Sequence, residues 1–463
     1  SSKVSVSQND ITHRLGSLLR IDQNLRRSFT LNPNNIEEHN RILSRLQLAF
    51  TLLFFPPPGN REARELSCLS DRLKGKDGRM RLSLLGKRVE YSSRTVISGD
   101  NYLALDEVGV PNAICMKLTL PEFVTDFNRD YLTGLLKKKM VKTIQRQKRS
   151  IDPKYGMHDL RIGDVVHRYL MDGDYVLINR QPSLWASSIQ ALKVKRFAED
   201  ARLDPHSIRL NVEVTPGFNA DFDGDEMNLY APQSIEARAE MKHLMSVENH
   251  LIIAGNGMVQ DSSLGIYILS VDDKDLGKSL FFDCILWIKK PFYKGQNYYD
   301  PPYTSRRLLS FLFPDYVNLP GFVESGVVVG PLTKKITRNK LLPMIYNQDP
   351  SLSLKFLFSI QRISSEYFRR RGFSVGLEHL LPDKNIDLVF NSKVEGMNDW
   401  EMACTVRRLK NEKAIEAKNM FSKTNNFIQL TSEGSGAKGS LMNIIQMKAT
   451  LGQQYVNGDV IHT

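Results

Sequence analysis

"NADFDGDEMN", residues 219–228, places three aspartates at alternate positions, Asp221, Asp223 and Asp225, with a glycine between the last two. On a strand, positions i, i+2 and i+4 share one face, and their carboxylates would lie in a row roughly 7 Å apart. Gly224 lets the backbone turn instead, so that the three side chains can converge on a point. Converged carboxylates repel unless they take up a proton or a cation, and ligation by oxygen alone favours Mg²⁺, Mn²⁺ or Ca²⁺ over zinc. An EF-hand calcium loop is excluded, because counting from Asp221 puts Glu226 and Pro232 where that loop needs glycine and glutamate. The bland alternative is an acidic surface turn. Against it stand the apolar neighbours Phe218, Phe222 and Met227 and the basic character of the rest of the chain.

Working outward, the stretches before the loop, "DYVLINRQ" (174–181) and "IRLNVEV" (208–214), alternate apolar and polar residues as short strands do. After it, "SIEARAEMKHLMSVE" (234–248) reads as a helix, with Ser234 as N-cap, Glu236 in the first turn, and Ala237, Met241, Leu244 and Met245 on one face. The aspartates therefore fall in a loop between strand and helix, where side chains can be presented without being committed to packing.

Farther upstream, residues 74–94 carry seven basic side chains, Lys74, Lys76, Arg79, Arg81, Lys87, Arg88 and Arg94, against Asp77 and Glu90. If this stretch is extended, Arg79 and Arg81 share a face that Lys87 and Arg88 cannot both join. Residues 9–53 have helical periodicity, for instance Ile42, Leu43, Leu46 and Ala49, and the prolines at 56–58 end it and suggest a boundary near 56. The run "KKKMVK" (137–142), with Arg146, Lys148 and Arg149 beyond it, reads as a solvated face.

The 463 residues suit two to four domains, and the net charge of +12 points to a polyanionic partner, with nucleic acid the first candidate. The longest apolar run, "LQLAFTLLFF" (46–55), is about half of what a membrane-spanning helix needs, so no membrane partner is expected. Cys68, Cys115, Cys284 and Cys404 are too widely spaced for a zinc pair or a dense disulfide framework and read as reduced thiols. None of the nine histidines has metal-pair spacing, and "GSGAKGS" (434–440) lacks the spacing of a P-loop. The chain opens on "SSK" and stops at "NGDVIHT", which reads as part of a longer polypeptide.

The loop resembles the NADFDGD catalytic loop of the largest subunit of multisubunit DNA-directed RNA polymerases, without a change. Other blocks resemble that family in the family's order: "RLKGKDGRMRLSLLGKRVEYSSRTVISGD" (72–100), "LDEVGVP" (105–111), "NRQPSLW" (179–185), "APQSIEARAE" (231–240), "VQDSSLG" (259–265), "GFSVGLEHL" (372–380) and "GSGAKGSLMNIIQMKATLGQQ" (434–454). The similarity is nearest the eukaryotic type. It is thin over 270–420, compressed between "MSVENHLIIA" and "VQD", and departs at Trp185, where the eukaryotic sequences usually have histidine. These departures suggest a divergent lineage, such as a large cytoplasmic DNA virus with its own polymerase.

The resemblance implies a mixed α+β, multidomain chain built around a double-psi β-barrel active-site domain. Residues 1–86 would be the clamp base and switch region, 87–250 the dock and active-site barrel, 251–345 the pore and 346–463 the funnel. It further implies that Asp221, Asp223 and Asp225 hold one Mg²⁺ of a two-metal centre for nucleotidyl transfer, the second arriving with the nucleoside triphosphate. Arg180 and Asn219 would read the ribose, Gln181 and Pro182 would shape the same wall, and Lys74, Lys76, Arg79, Arg81, Lys87, Arg88 and Arg94 would grip template and RNA–DNA hybrid through phosphates. The implied partners are the second-largest subunit and other polymerase subunits, DNA template, RNA transcript and nucleoside triphosphates. The implied location is the nucleus, or the host cytoplasm and virion for a viral enzyme. With the family's clamp head, bridge helix and trigger loop outside this stretch, the stretch alone is expected to be inactive. The alternative is a non-catalytic basic scaffold, derived from such a subunit, that binds nucleic acid; a self-contained nuclease would need a general base that is not evident.

Overall fold

The structure is a computed structural model that describes residues 8–56, 67–147, 149–155, 159–197, 206–253, 255–292, 299–380, 425–432, 434–448, 455–456 and 459–460. It divides into two compact units, Ser1–Glu90 and Tyr91–Thr463.

The first unit is led by a helical hairpin. Asp10–Leu31 begins where the Asn9 side chain accepts from the Ile11 amide at 3.1 Å, and Ile36–Phe54 begins where Asn35 accepts from the Glu38 amide at 3.2 Å. These caps satisfy amides that the first turn leaves without partners. Along the second helix Ile42, Leu46 and Ala49 are half-buried, whereas Leu43, expected on the same face, is exposed. The end of the unit corrects one premise: Met80–Leu84 is a π-helical turn that follows directly on Arg79. Arg79 and Arg81 therefore do not alternate as they would on a strand.

The second unit is built on a closed barrel of six strands. In chain order its strands and those of a neighbouring sheet are β1 (Ser92–Gly99), β2 (Glu107–Val110), β3 (Thr119–Phe123), β4 (Val141–Arg146), β5 (Arg149–Ile151), β6 (Val165–Tyr169), β7 (Tyr175–Asn179), β8 (Ile189–Arg196), β9 (Ile208–Leu210) and β10 (Glu226–Tyr230). The barrel order is β1-β10-β7-β8-β2-β9, and β3-β6-β4-β5 is a separate four-stranded sheet. Two of the barrel pairings are parallel, β1 with β9 and β2 with β8, and these need crossovers. Alternation explains the closure: Val108, Val110, Val176, Ile178, Met227 and Leu229 all point inward and are fully buried. Each such side chain contributes about 1.5–3 kcal/mol when taken from water.

The barrel core runs on into helices, chiefly Gln260–Val271 and Pro350–Arg371. They approach closely because Gly265 has no side chain; a Cβ there would lie 2.4 Å from the Ser364 side chain. Ile235–Leu244 follows β10, and the Ser234 hydroxyl accepts from the Ala237 amide at 3.1 Å, as its sequence anticipates. Met241 is buried on its inner face, but Leu244, expected there too, is 66% exposed. The reason is local: this helix ends at Leu244, and Ser246 caps a new one, Val247–His250, that takes over the packing. The "KKKMVK" lysines are exposed. Among the described residues Cys68, Cys115 and Cys284 are buried, and Cys404 lies outside them. No described helix is long and apolar enough to cross a membrane.

Candidate active site

The acidic loop is an arch whose two feet stand on one strand. Residues Ile97–Gly99 of β1 pair with β9 before the arch, and Ser92–Val96 pair with β10 after it. From β9 the chain makes a 3₁₀ turn, Val212–Val214, and one helical turn, Thr215–Phe218. Asn219 then takes left-handed backbone angles, φ 49° and ψ 46°, which an asparagine tolerates better than a branched residue, and this swings the chain into the aspartates. Gly224 sits at φ 123°, so the expected turn occurs where only glycine is comfortable.

The arch is pinned from below. The Ile97 amide donates to the Asp225 carbonyl at 3.0 Å. Phe222 packs over Gly99, where a Cβ would lie 3.1 Å from its ring. The Gly217 amide donates to Asn256 Oδ1 at 3.0 Å, and Asn256 in turn donates to Gln190. Phe218 and Met227, the apolar neighbours seen in the sequence, are buried anchors on either side.

The three carboxylates do converge. Asp221, Asp223 and Asp225 each offer an oxygen, and these oxygens lie within 4.8 Å of one another. A hydrogen bond shared with Asp223, reinforced by the charges of Asp223 and Asp225, raises the Asp221 carboxyl above its ordinary range. Asp225 is shifted the other way, because Arg180 donates to it from Nε at 2.7 Å and from a terminal nitrogen at 3.2 Å. The same carboxylate accepts the Asp221 amide at 3.1 Å, so it also shapes the loop. Two exposed hard-oxygen donors beside a third held ionised by a guanidinium fit a hard divalent cation such as Mg²⁺.

The other anticipated residues fall in three groups. Arg180, Pro182 and Asn219 line one cavity of about 480 Å³, together with Trp185, Phe218 and Ile253. Gln181 is exposed and touches Arg94, whose guanidinium is otherwise engaged by Glu226 at 2.7 Å. Arg94 is thus tied to the rim of the barrel. Lys74, Lys76, Arg79, Arg81, Lys87 and Arg88 are exposed on the first unit, and none makes an ion pair among the described residues.

One residue beneath the loop escaped the sequence reading. Glu213 is completely buried, and neither carboxyl oxygen has a hydrogen-bond partner among the described residues. Burial pushes its carboxyl up to about 8; the Ser262 hydroxyl opposes this without reaching ordinary hydrogen-bond geometry. The alternation of "IRLNVEV" hid this, because the strand stops at Leu210 and Asn211 caps a turn that rotates Glu213 inward.

An acidic cluster on a barrel loop whose donors suit a hard cation, set beside a cavity with an arginine and an asparagine, is the arrangement this geometry defines. Comparison with known proteins narrows it. Residues 86–247 match the family model described as RNA polymerase Rpb1, domain 2, and residues 386–463 match RNA polymerase Rpb1, domain 4. Over 98% of its length the chain is 30% identical to the DNA-directed RNA polymerase II subunit RPB1-B of Trypanosoma brucei brucei, of which it covers 29%. It is 31% identical over 98% of its length to the DNA-directed RNA polymerase subunit Rpo1N of Sulfolobus acidocaldarius, covering 60% of that protein. Over 57% of the chain the identity to the Rpo1N subunit of Thermococcus celer reaches 40%, across 31% of that protein. The chain thus spans between about three and six tenths of these relatives. Together the matches support a segment of an RNA polymerase largest subunit.

Proposed function

We propose that this chain is the catalytic-centre portion of a DNA-directed RNA polymerase, active only when assembled with the second-largest and other subunits on DNA template, RNA and nucleoside triphosphates. In this reading the six-stranded barrel is a double-psi barrel, residues 1–86 form the clamp base and switch, 251–345 the pore and 346–463 the funnel. The observation that carries the proposal is the convergence of Asp221, Asp223 and Asp225 to within 4.8 Å in a loop spelling NADFDGD.

Asp221, Asp223 and Asp225 would hold one Mg²⁺, which when bound lowers the cost of ionising the RNA 3′ hydroxyl and of charge on the transferring phosphate. The work of the chain is positioning. Arg180 commits Nε and one terminal nitrogen to Asp225, keeping that carboxylate ionised and aimed, and its other terminal nitrogen has no partner among the described residues. Arg180 and the exposed Asn219 line the same cavity, where the remaining guanidinium donor and the amide can meet the 2′ and 3′ hydroxyls of an incoming ribose. The six basic side chains of 74–88 that make no ion pair among the described residues supply sequence-independent phosphate contacts. The product is RNA, made in the nucleus or, for a viral enzyme, in host cytoplasm or virion.

The test is Asp223→Ala in the assembled polymerase. RNA extension should be lost while assembly and template binding persist, and Mn²⁺ bound at this site, followed by electron paramagnetic resonance, should disappear. Wild-type extension by the variant overturns the proposal.

A further inference from the structure

The cavity beside the acidic loop holds more than the ribose contacts use. Arg180 and Asn219 share its lining with Leu184, Trp185 and Ile253. These three apolar side chains stand outside the core, at 76%, 77% and 81% exposed. Among the described residues the Trp185 indole makes no hydrogen bond and no ring contact. Covering so large an apolar face is favourable, and exposed apolar surface at the margin of a cavity marks a place where something binds.

The loop that carries the ring is built in advance. The Arg180 amide donates to the Ser188 carbonyl at 3.4 Å, and the Asn179 side chain donates to that same carbonyl at 3.0 Å and to the Ser183 hydroxyl at 2.6 Å. The Ser188 amide donates back to the Trp185 carbonyl at 3.0 Å. Gln190, fully buried on β8, donates to the Ser187 carbonyl at 2.8 Å and accepts from Asn256, which itself accepts the Gly217 amide. One chain of hydrogen bonds thus joins the Trp185 loop to the Pro216–Asn219 side of the cavity. The backbone at Trp185 is fixed while its ring is left uncovered, an arrangement that binds with little cost in ordering.

The other lining groups decide what fits. Arg180 ties the cavity to the acidic loop through Asp225, and Arg180 and Asn219 offer donors suited to sugar hydroxyls. Leu184 and Ala186, which flank the ring in sequence, and Ile253 offer no side-chain donor or acceptor. A cavity of about 480 Å³ with a few polar groups and an aromatic, apolar margin has the make-up of a nucleoside site. A base laid on an indole is held by its face, and every base has one, so the contact tolerates any base. That suits template-directed synthesis, where one site takes all four bases and the choice among them is left to pairing.

We propose that Trp185 is a stacking platform for the base of the nucleotide whose ribose meets Arg180 and Asn219. This rests on the polymerase reading and adds to it a contact that holds nucleotides without selecting among bases or between sugars. The test in the assembled polymerase is the KM for each nucleoside triphosphate. Trp185→Ala should raise it at least fivefold for all four, which is about 1 kcal/mol at 1.4 kcal/mol per tenfold, and Trp185→Phe, which keeps a ring, should stay within about twofold of wild type. The preference for ribonucleotides over deoxyribonucleotides should be unchanged in both, which separates this contact from those of Arg180 and Asn219. In a second arm, Trp287→Phe and Trp400→Phe in the full chain leave Trp185 as the sole tryptophan. ATP and UTP with Mg²⁺ should quench its emission saturably, ATP at the lower midpoint because its base is larger, and ribose 5-phosphate should not. Unchanged KM in Trp185→Ala, no quenching by either nucleotide, or equal quenching by ribose 5-phosphate overturns the platform. An inactive Asp223→Ala enzyme in the same preparation shows that the polymerase reading survives that failure. Weakened subunit assembly in Trp185→Ala with unchanged KM overturns it in favour of a contact with a partner polypeptide.

Discussion

Glu213→Gln should stabilise the second unit increasingly as pH rises. The carboxyl titrates at about 8 in the folded chain, against an ordinary value of 4.5. Between those values the native state holds a proton that the unfolded state has released, so stability falls as pH rises from 4.5 to about 8, and the loss is then complete. At about 1.4 kcal/mol per unit, the penalty is roughly 3 kcal/mol at pH 7 and about 5 kcal/mol at pH 8 and above. Glutamine has the same shape and does not titrate. Its amide will lack an acceptor in this site, a cost that is the same at every pH. The informative quantity is therefore the slope: the difference in melting temperature, variant minus wild type, should grow by several degrees between pH 5 and pH 8 and then level off. Scanning calorimetry of the full chain in buffers of matched ionic strength measures it. A difference that is flat with pH, or that shrinks as pH rises, would refute the reasoning, because it would mean that Glu213 is ionised and satisfied in the folded chain.

Asn219→Ser in the assembled polymerase should erode preference for ribonucleotides about tenfold, the effect of losing one buried hydrogen bond of about 1.4 kcal/mol, read as the ratio of specificity constants on one template. Gly99→Val should push Phe222 off its seat, costing about 1–3 kcal/mol, and weaken Mn²⁺ binding more than it lowers the melting temperature; unchanged Mn²⁺ affinity counts against the pinning of the arch. Neutralising Lys74, Lys76, Arg79, Arg81, Lys87 and Arg88 in pairs should flatten the dependence of log affinity on log salt by about one unit for each phosphate no longer neutralised. Arg94→Gln, which breaks a pair with Glu226, should change that slope least.

The sequence carried the local features well. The cap at Ser234, the turn at Gly224 and the convergence of the aspartates each depend on a handful of adjacent residues, and each was legible. What it hid depends on register. Arg180 meets Asp225 because β7 and β10 align Asn179 with Asn228, a pairing set by barrel closure and not by any neighbour of either residue. The burial of Glu213 and the exposure of Leu244 likewise follow from where a strand and a helix stop, and single-residue stops are weakly encoded. The glycines around Arg79 and Arg81 leave an extended path open to them, yet the stretch between those glycines closes into a helical turn. The packing of Arg362 against the Tyr102 and Trp287 rings joins three segments far apart in the chain, so no motif could announce it.

Because both feet of the arch rest on β1, the order in which the chain is synthesised matters. β1 leaves the ribosome before its partners β9 and β10, which follow more than a hundred residues later. Until Tyr230 has emerged, the aspartates sit on a tether with one foot at most in place, and pairings over such separations form slowly. A nascent chain therefore lacks the seat on β1 that pins the arch, including the hydrogen bond from the Ile97 amide to the Asp225 carbonyl. On the proposed reading, a pinned seat for the metal therefore awaits closure of the barrel, after the last strand of the barrel has been translated.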